Sequence, residues 1–317
     1  MFTGLQSLFI QHSFRLPDYN REEWAPTLTE FLDALERMPA LKELCIEGPL
    51  PNYDPDVHSL NPPSNARKVS LLNLEYELQL GGRMHDVALA LSRLAISGSI
   101  ALAFEIMPYD EDGELELQDF FRVVSNHIRP RVRSHIPIEE MHINGHSSFY
   151  LSVSPEFGDE HGVYIEFGNS DVDKPSALHH FLEMLPFCPI IRVEISGLEF
   201  DRDDWQEAFG DADGNASSII CISIEGGYLE EFCSFLGGPD LALLPVELEL
   251  PLSDLESLEL KEYSFGAPSR RLLLEALQKR KEQEVPLDWV KFTHCSSLDS
   301  GWLDTLRDLV PEVEIET

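Results

Sequence analysis

The sequence predicts an α/β fold arranged as a solenoid, with a parallel sheet on the concave side of a horseshoe and helices on its convex side. Two observations predict this fold. A short apolar pattern typical of a half-buried strand recurs along the 317 residues. The segments between these strands have the period of an amphipathic helix. Together they indicate a single irregular repeat domain over residues 1–317, with about eleven units.

The strand pattern is apolar-x-x-apolar-x-apolar, as in Leu255-Leu258-Leu260, and polar residues occupy the intervening positions. Further copies cover residues 5–10, 41–46, 138–143, 190–195, 219–224, 287–292 and 310–315, and weaker ones lie in 69–80, 99–105 and 162–167. Because side chains alternate between the faces of a strand, the last two apolar residues are expected to be buried and the intervening ones exposed. The pattern resembles the L-x-x-L-x-L core of leucine-rich repeats.

Amphipathic segments between the strands predict the helices. Residues 27–38 place Leu28, Phe31, Leu32 and Leu35 on one face, and Pro39 ends the helix. Similar segments cover residues 86–94, 117–128, 176–185, 204–209, 229–236, 270–281 and 298–309. A doubly wound parallel sheet would also alternate strand and helix, but its strands would be apolar on both faces. The charged outward positions here favour the inner wall of a horseshoe.

Two segments interrupt the repeats. Pro49–Ser64 is rich in proline and asparagine, and Tyr109–Glu116 is strongly acidic. Both are predicted to be loops inserted between repeats.

Composition excludes several classes of partner. The chain has 57 Asp and Glu against 23 Lys and Arg, a formal net charge of −34, which repels nucleic-acid phosphates and anionic membranes. No apolar run is long enough to cross a bilayer, and no signal peptide is recognisable. The five cysteines include no C-x-x-C pair, which is typical of a reducing compartment. We therefore expect an intracellular protein, cytoplasmic or nuclear, without a nucleic-acid or membrane partner.

Sequence motifs for catalysis or cofactor binding are absent. The segment from Gly145 to Phe149 lacks the second glycine of a nucleophile elbow, and the glycine pairs lack the spacing of a phosphate-binding loop. His142 and His146 have the i, i+4 spacing of metal ligands on a helix, but His142 lies in a predicted strand. The sequence therefore predicts no catalytic residues, no cofactor and no metal.

Three stretches carry a resemblance to a known family: residues 31–44 (FLDALERMPALKEL), 204–210 (DWQEAFG) and 273–314. They resemble the leucine-rich-repeat region of the F-box proteins that are numerous in mushroom-forming fungi. In that family an N-terminal F-box recruits a cullin-type ubiquitin ligase, and the repeats hold the substrate. The sequence contains no F-box-like segment. The resemblance therefore implies a ubiquitin-ligase core as a partner only if an F-box is supplied elsewhere.

The outward strand positions lead to a functional hypothesis, a non-catalytic protein-binding module whose acidic concave face binds a protein with a basic surface. The candidate binding residues are Glu43, Glu47, Glu139, Glu140, Arg192, Glu194, Glu225, Glu256, Glu259 and Trp289. Two alternatives stay open: a structural or truncated repeat protein without a working partner site, and an enzyme with an unrecognised site.

Overall fold

The computed structural model describes residues 4–11, 25–48, 50–54, 56–96, 100–107, 113–132, 138–146, 148–154, 162–168, 172–185, 190–210, 219–238 and 250–317. The chain divides into two compact units. Unit 1 comprises Met1–Ile136 and Ser148–Asp173, and unit 2 comprises Pro137–Ser147 and Lys174–Thr317. The described residues form eight helices and fourteen strands with mostly parallel pairing, which confirms the predicted α/β class.

Unit 1 contains six main strands. In spatial order they are β1 (Ser7–Gln11), β2 (Glu43–Glu47), β4 (Glu77–Gly82), β6 (Ala101–Ile106), β9 (Val163–Phe167) and β8 (Phe149–Ser154). A separate parallel pair is formed by β3 (Val69–Leu71) and β5 (Leu94–Ile96). The helices are α1 (Leu28–Glu36), α2 (Met84–Ser92) and α3 (Gly113–Val132).

Unit 2 has a simpler topology in which each strand pairs with the strand before it in the unit. The order is β7 (Ile138–Asn144), β10 (Ile190–Ser196), β11 (Cys221–Glu225), β12 (Ser257–Lys261), β13 (Trp289–Thr293) and β14 (Glu312–Glu316), all parallel. The helices are α4 (Lys174–Met184), α5 (Arg202–Phe209), α6 (Leu229–Leu236), α7 (Ala267–Glu282) and α8 (Ser300–Arg307).

The apolar positions of the strand pattern form the core, except in β1 and β14, where Ile10 and Ile315 are exposed. In β12, Leu258 and Leu260 are fully buried, and they stack in register on Val290 and Phe292 of β13. Leu255, three residues before Leu258, is also buried. Removing such side chains from water is the main favourable contribution to folding, so the spacing of the pattern directly selects which side of each strand faces the helices.

The structure differs from the prediction in three places. Strand β5 begins at Leu94, the last residue of the predicted helix 86–94, where no strand was predicted. The segment of β8 carried no predicted strand, and β8 runs antiparallel to β9, so the pairing is not parallel throughout. The helix α3 begins at Gly113, inside the predicted loop Tyr109–Glu116, whose residues 109–112 lie outside the described part of the chain. In the other predicted loop, Pro49–Ser64, the described residues form neither helix nor strand.

Candidate protein-binding faces

Each unit presents one side of its strands away from the buried core. We call the outward side chains of β1, β2, β4, β6, β9 and β8 the unit 1 face, and those of β7 and β10 to β14 the unit 2 face. In-register neighbours on adjacent strands lie about 4.8 Å apart, so residues distant in sequence form continuous rows. The central row of the unit 2 face is His142, Glu194, Ser223, Glu259, Lys291 and Glu314.

The carboxylate of Glu259 is the centre of a polar network on the unit 2 face. It is only 5% exposed, and Oε1 accepts from the hydroxyl of Thr293 at 2.9 Å. Oε2 accepts from Ser223 at 3.1 Å and from the Arg192 guanidinium at 3.1 Å. The ammonium groups of Lys261 and Lys291 each lie 3.6 Å from this carboxylate. Three cations and two hydroxyls therefore surround one buried anion.

The pKa of Glu259 reflects two opposing influences. Burial raises the pKa of this carboxyl, whereas the bonds from Thr293 and Ser223 and the charges of Lys261 and Lys291 lower it. The second influence is larger, and the pKa lies below its ordinary value. Glu259 is therefore a fixed anion at neutral pH.

His142 lies between two carboxylates at the β7 end of the same face. Its Nε2 is 3.3 Å from Glu140, and its Nδ1 is 3.2 Å from Glu194. One potential ligand atom from each of these three residues lies within 4.8 Å of the others, a spacing that would suit a metal ion. However, Arg192 lies 2.9 Å from Glu194 and Lys261 lies 3.6 Å from it, so cations of the chain already compensate this charge. We therefore assign no metal here.

The unit 1 face has a different charge pattern. Its outward positions carry five glutamates, and no lysine or arginine occupies an outward position in the described strands of this unit. The glutamates are Glu43, Glu47, Glu77, Glu105 and Glu166. By contrast, seven glutamates of the unit 2 face are accompanied by three cations, Arg192, Lys261 and Lys291.

One row of the unit 1 face brings three of these carboxyl groups together. Glu105 is directly opposite Glu166 on one side and Gly81 on the other, and Gly81 is opposite Glu47. A β-carbon at position 81 would lie 3.3 Å from Glu47 and 3.5 Å from Glu105, so the missing side chain lets these two residues approach each other. Like charges directly opposite each other in a sheet are destabilising.

The pKa values of side chains on this face reflect the same concentration of negative charge. Burial raises the pKa of Glu105, and the charges of Glu47 and Glu166 raise it further. Burial and the neighbouring glutamates, Glu47 foremost, raise the pKa of the Cys45 thiol to about 11. Adding a negative charge to this face is therefore unfavourable.

Two tyrosines border the acidic row. The rings of Tyr150 on β8 and Tyr164 on β9 are 5.6 Å apart, inclined at 32°. The Tyr164 hydroxyl donates a hydrogen bond of 2.9 Å to Glu166. Tyr164 is 37% exposed, and its in-register neighbours are the small residues Ala103 and Ser152. An accessible aromatic surface thus adjoins uncompensated carboxylates.

The residues that the sequence predicted for binding are distributed over both units. Glu43 and Glu47 lie on the unit 1 face; Glu140, Arg192, Glu194, Glu225, Glu259 and Trp289 lie on the unit 2 face. Glu139 adjoins Glu140 in β7 and therefore points to the opposite side, and Glu256 precedes β12.

Sequence reasoning missed Glu77, Glu105, Tyr150, Tyr164 and Glu166 as binding candidates. Two of these residues could have been found from the alternation Val163-Tyr-Ile-Glu-Phe167. It assigns Tyr164 and Glu166 to the same, outward side of the strand.

Comparison of the chain with protein-family models, curated proteins and solved structures finds no match. In the part of the chain that the structure describes, no helix has both the length and the apolar character needed to span a membrane.

Proposed function

We propose that the chain is a non-catalytic protein-binding module and that its unit 1 face binds a basic segment of the partner. The strand and helix repeats would form a leucine-rich-repeat-like solenoid, comparable to the substrate-recognition repeats of F-box ubiquitin-ligase adaptors. A single observation carries the proposal. Unit 1 has five glutamates at outward positions, and no cation occupies an outward position in its described strands.

The physical argument is electrostatic. Glu105 faces Glu166 across a strand pair, and its pKa is raised by burial and by the charges of Glu47 and Glu166, so the free face carries unfavourable repulsion. A lysine- or arginine-rich segment would remove this repulsion on binding. The net charge of −34 would also accelerate the encounter with such a segment.

The unit 2 face is a weaker candidate for the same partner. The predicted acidic residues Glu140, Glu194 and Glu259 lie close to Arg192, and Glu259 also faces two lysines. A basic partner would have to compete with cations that the chain already supplies. The basic-partner hypothesis therefore applies to unit 1.

The titratable groups give little support to an enzyme. Glu259 has a lowered pKa, which makes it a poor proton donor at neutral pH. Burial raises the pKa of the Cys221 thiol on the unit 2 face and of the Cys233 thiol, which lines a groove of about 810 Å³ among helical residues of unit 2. Raised pKa values disfavour the thiolate that a cysteine nucleophile requires.

A charge-matched pair of variants tests the proposal. The test variant carries Glu47→Gln, Glu105→Gln and Glu166→Gln, and the control carries Glu256→Gln, Glu312→Gln and Glu314→Gln in unit 2. The probe is fluorescein-labelled hexalysine, followed by fluorescence anisotropy at 50 and 150 mM salt. Because both variants lose three charges, a general effect of net charge weakens binding equally. We expect weaker binding in the test variant only; equal weakening in the two variants would refute the assignment to the unit 1 face.

Proximity labelling in the native cell addresses the biological partner. We expect a set of labelled proteins that the test variant loses and the control variant keeps. Recovery of ubiquitin-ligase subunits with the wild-type chain would support the adaptor role implied by the resemblance. A labelled set unchanged by the test variant would contradict binding through the unit 1 face.

A further inference from the structure

We infer that Tyr150, Tyr164, Glu105 and Glu166 form a subsite on the unit 1 face that binds an arginine side chain of the partner. The inference rests on the proposed function and adds the chemistry of the residue that is recognised. It depends on the proximity of the exposed Tyr164 ring and the half-buried Tyr150 ring to the carboxylates of Glu105 and Glu166. No cation at an outward position in the described strands of this unit compensates these carboxylates.

The sheet register determines the composition of the subsite. Glu166 lies between Glu105 on β6 and Tyr150 on β8, directly opposite each of them. Tyr164 is two residues before Glu166 on the same strand and therefore lies on the same side of the sheet. Its hydroxyl donates to one oxygen of Glu166, so the hydrogen bond orients both side chains. Four residues from three strands thus converge on one patch.

Access to the patch depends on small neighbours. Ala103 and Ser152 flank Tyr164 on the adjacent strands, and neither side chain is large enough to cover a tyrosine ring. Tyr164 is accordingly 37% exposed although it lies on an inner strand of the unit 1 sheet. A large residue at position 103 or 152 would cover the ring. The face therefore presents the aromatic surface to a binding partner.

The chemistry of the patch favours arginine over lysine. A guanidinium is planar and weakly hydrated, so it can stack on a tyrosine ring while its N–H groups reach a carboxylate. A carboxylate and a guanidinium can form two parallel hydrogen bonds, and Glu105 adds a second anion beside Glu166. A lysine ammonium would gain the charge attraction but not the stacking geometry.

The Glu105 carboxyl supports a cationic ligand and disfavours an anionic one. Its pKa is raised by burial and by the charges of Glu47 and Glu166. The pKa of the Tyr164 hydroxyl is also raised, first by burial and then by its bond to Glu166, so the hydroxyl stays protonated and keeps donating. The patch thus combines a neutral aromatic surface with concentrated negative charge.

The experiment compares two probes of equal charge on the full chain. Fluorescein-labelled hexa-arginine and hexalysine are titrated by fluorescence anisotropy at 150 mM salt. We expect hexa-arginine to bind the wild-type chain roughly two- to five-fold more tightly, which corresponds to a cation–π contact at an exposed site. Tyr164→Thr keeps a strand-forming residue but removes the ring, and it should abolish the preference by weakening hexa-arginine binding more than hexalysine binding.

Further variants separate the contributions of the ring and the charge. Tyr164→Phe retains the ring and should retain the preference for arginine. Glu166→Gln removes the charge and should weaken both probes. Circular dichroism melting verifies that each variant is folded, and Tyr150→Thr is the second ring variant if Tyr164→Thr is unfolded.

The outcomes distinguish this inference from the proposed function. If both probes bind the wild-type chain equally but lose affinity in the Glu47, Glu105 and Glu166 triple variant, the arginine subsite is overturned and the basic-partner proposal stands. If neither probe responds to the triple variant, the proposed function itself fails. Equal weakening of both probes by Tyr164→Thr would also overturn the subsite.

Discussion

Replacing Glu259 by glutamine removes the central charge of the unit 2 network while preserving the shape of the side chain. The carboxylate is 5% exposed and accepts hydrogen bonds from Ser223, Thr293 and Arg192. Glutamine keeps one oxygen that can accept from a hydroxyl, but its amide group cannot accept from Arg192 or balance the nearby lysines. The variant therefore leaves three cations beside a neutral side chain.

The expected cost is about 2–3 kcal/mol in the free energy of unfolding. A hydrogen bond to a charged group contributes about 1.5–3 kcal/mol, and breaking a fully buried ion pair costs about 3–5 kcal/mol. The cations are partly exposed, with side-chain exposures of 35% for Arg192, 25% for Lys261 and 23% for Lys291. Water reduces their repulsion in the variant, which places the cost below the fully buried range.

The effect of Glu259→Gln on the free energy of unfolding is expected to depend on pH. The pKa of Glu259 is lower in the folded chain than in the unfolded chain, so its contribution to stability is present above the unfolded pKa. That contribution disappears as the pH falls through the lowered folded pKa. The difference in stability between the wild type and Glu259→Gln should be constant near neutrality and should shrink below about pH 4.

Urea denaturation followed by tryptophan fluorescence measures the effect. Trp205, Trp289 and Trp302, three of the four tryptophans, belong to unit 2, so the signal reports mainly on that unit. Glu314→Gln on the same row is the matched control and should change the stability by less than about 0.5 kcal/mol. Equal effects of Glu259→Gln and Glu314→Gln, or a difference that persists unchanged at pH 3, would refute the role of the network.

Three further perturbations test other features of the structure. Arg280 is fully buried and donates to three backbone carbonyls, so Arg280→Met should cost about 3 kcal/mol in urea unfolding, and a cost below 1 kcal/mol would contradict this reading. Gly227 has φ +76°, and a β-carbon there would lie 1.9 Å from the carbonyl oxygen of Leu198. Gly227→Ala should therefore lower the melting temperature, whereas the control Gly301→Ala in α8 should not. Glu47→Gln should lower the pKa of Cys45 from about 11 and accelerate the alkylation of this thiol by iodoacetamide at pH 8. Peptide mass spectrometry measures the rate, and an unchanged rate would exclude a contribution of Glu47 to the raised pKa.

Much of the secondary structure follows from periodicity alone. The apolar template correctly locates the strands from β10 to β14, because the last two apolar residues of each copy alternate with residues at outward positions. Helix α6 coincides with the predicted residues 229–236. Strand β8 was not predicted, because the apolar residue that stands three positions before the strand residues in the template is missing there. Its antiparallel direction depends on pairing with β9.

The binding site was less predictable than the fold. The sequence assigns Glu259, Arg192 and Lys291 to outward positions, but their mutual distances depend on which strands are neighbours and in which register. The same is true of Tyr150 and Tyr164, whose rings meet only because β8 returns beside β9. Even within a single strand, the direction of a side chain depends on its exact position. Glu139 lies one residue before Glu140 and therefore points to the opposite side of the sheet.

The sequence by itself determined that this chain is an acidic α/β protein with charged outward strand positions, because composition and periodicity are local properties of the chain. The tertiary structure alone decided which of those charges are compensated. In unit 2, strand pairing brings Arg192 of β10 and Lys291 of β13 to the carboxylate of Glu259, and Lys261 approaches it from the same strand. In unit 1, strand pairing places Glu105 between Gly81 and Glu166, with no cation at an outward position in the described strands. Electrostatic interactions depend on distance in space, and residues that lie 34 to 67 positions apart in the chain become neighbours only through the register of the sheet.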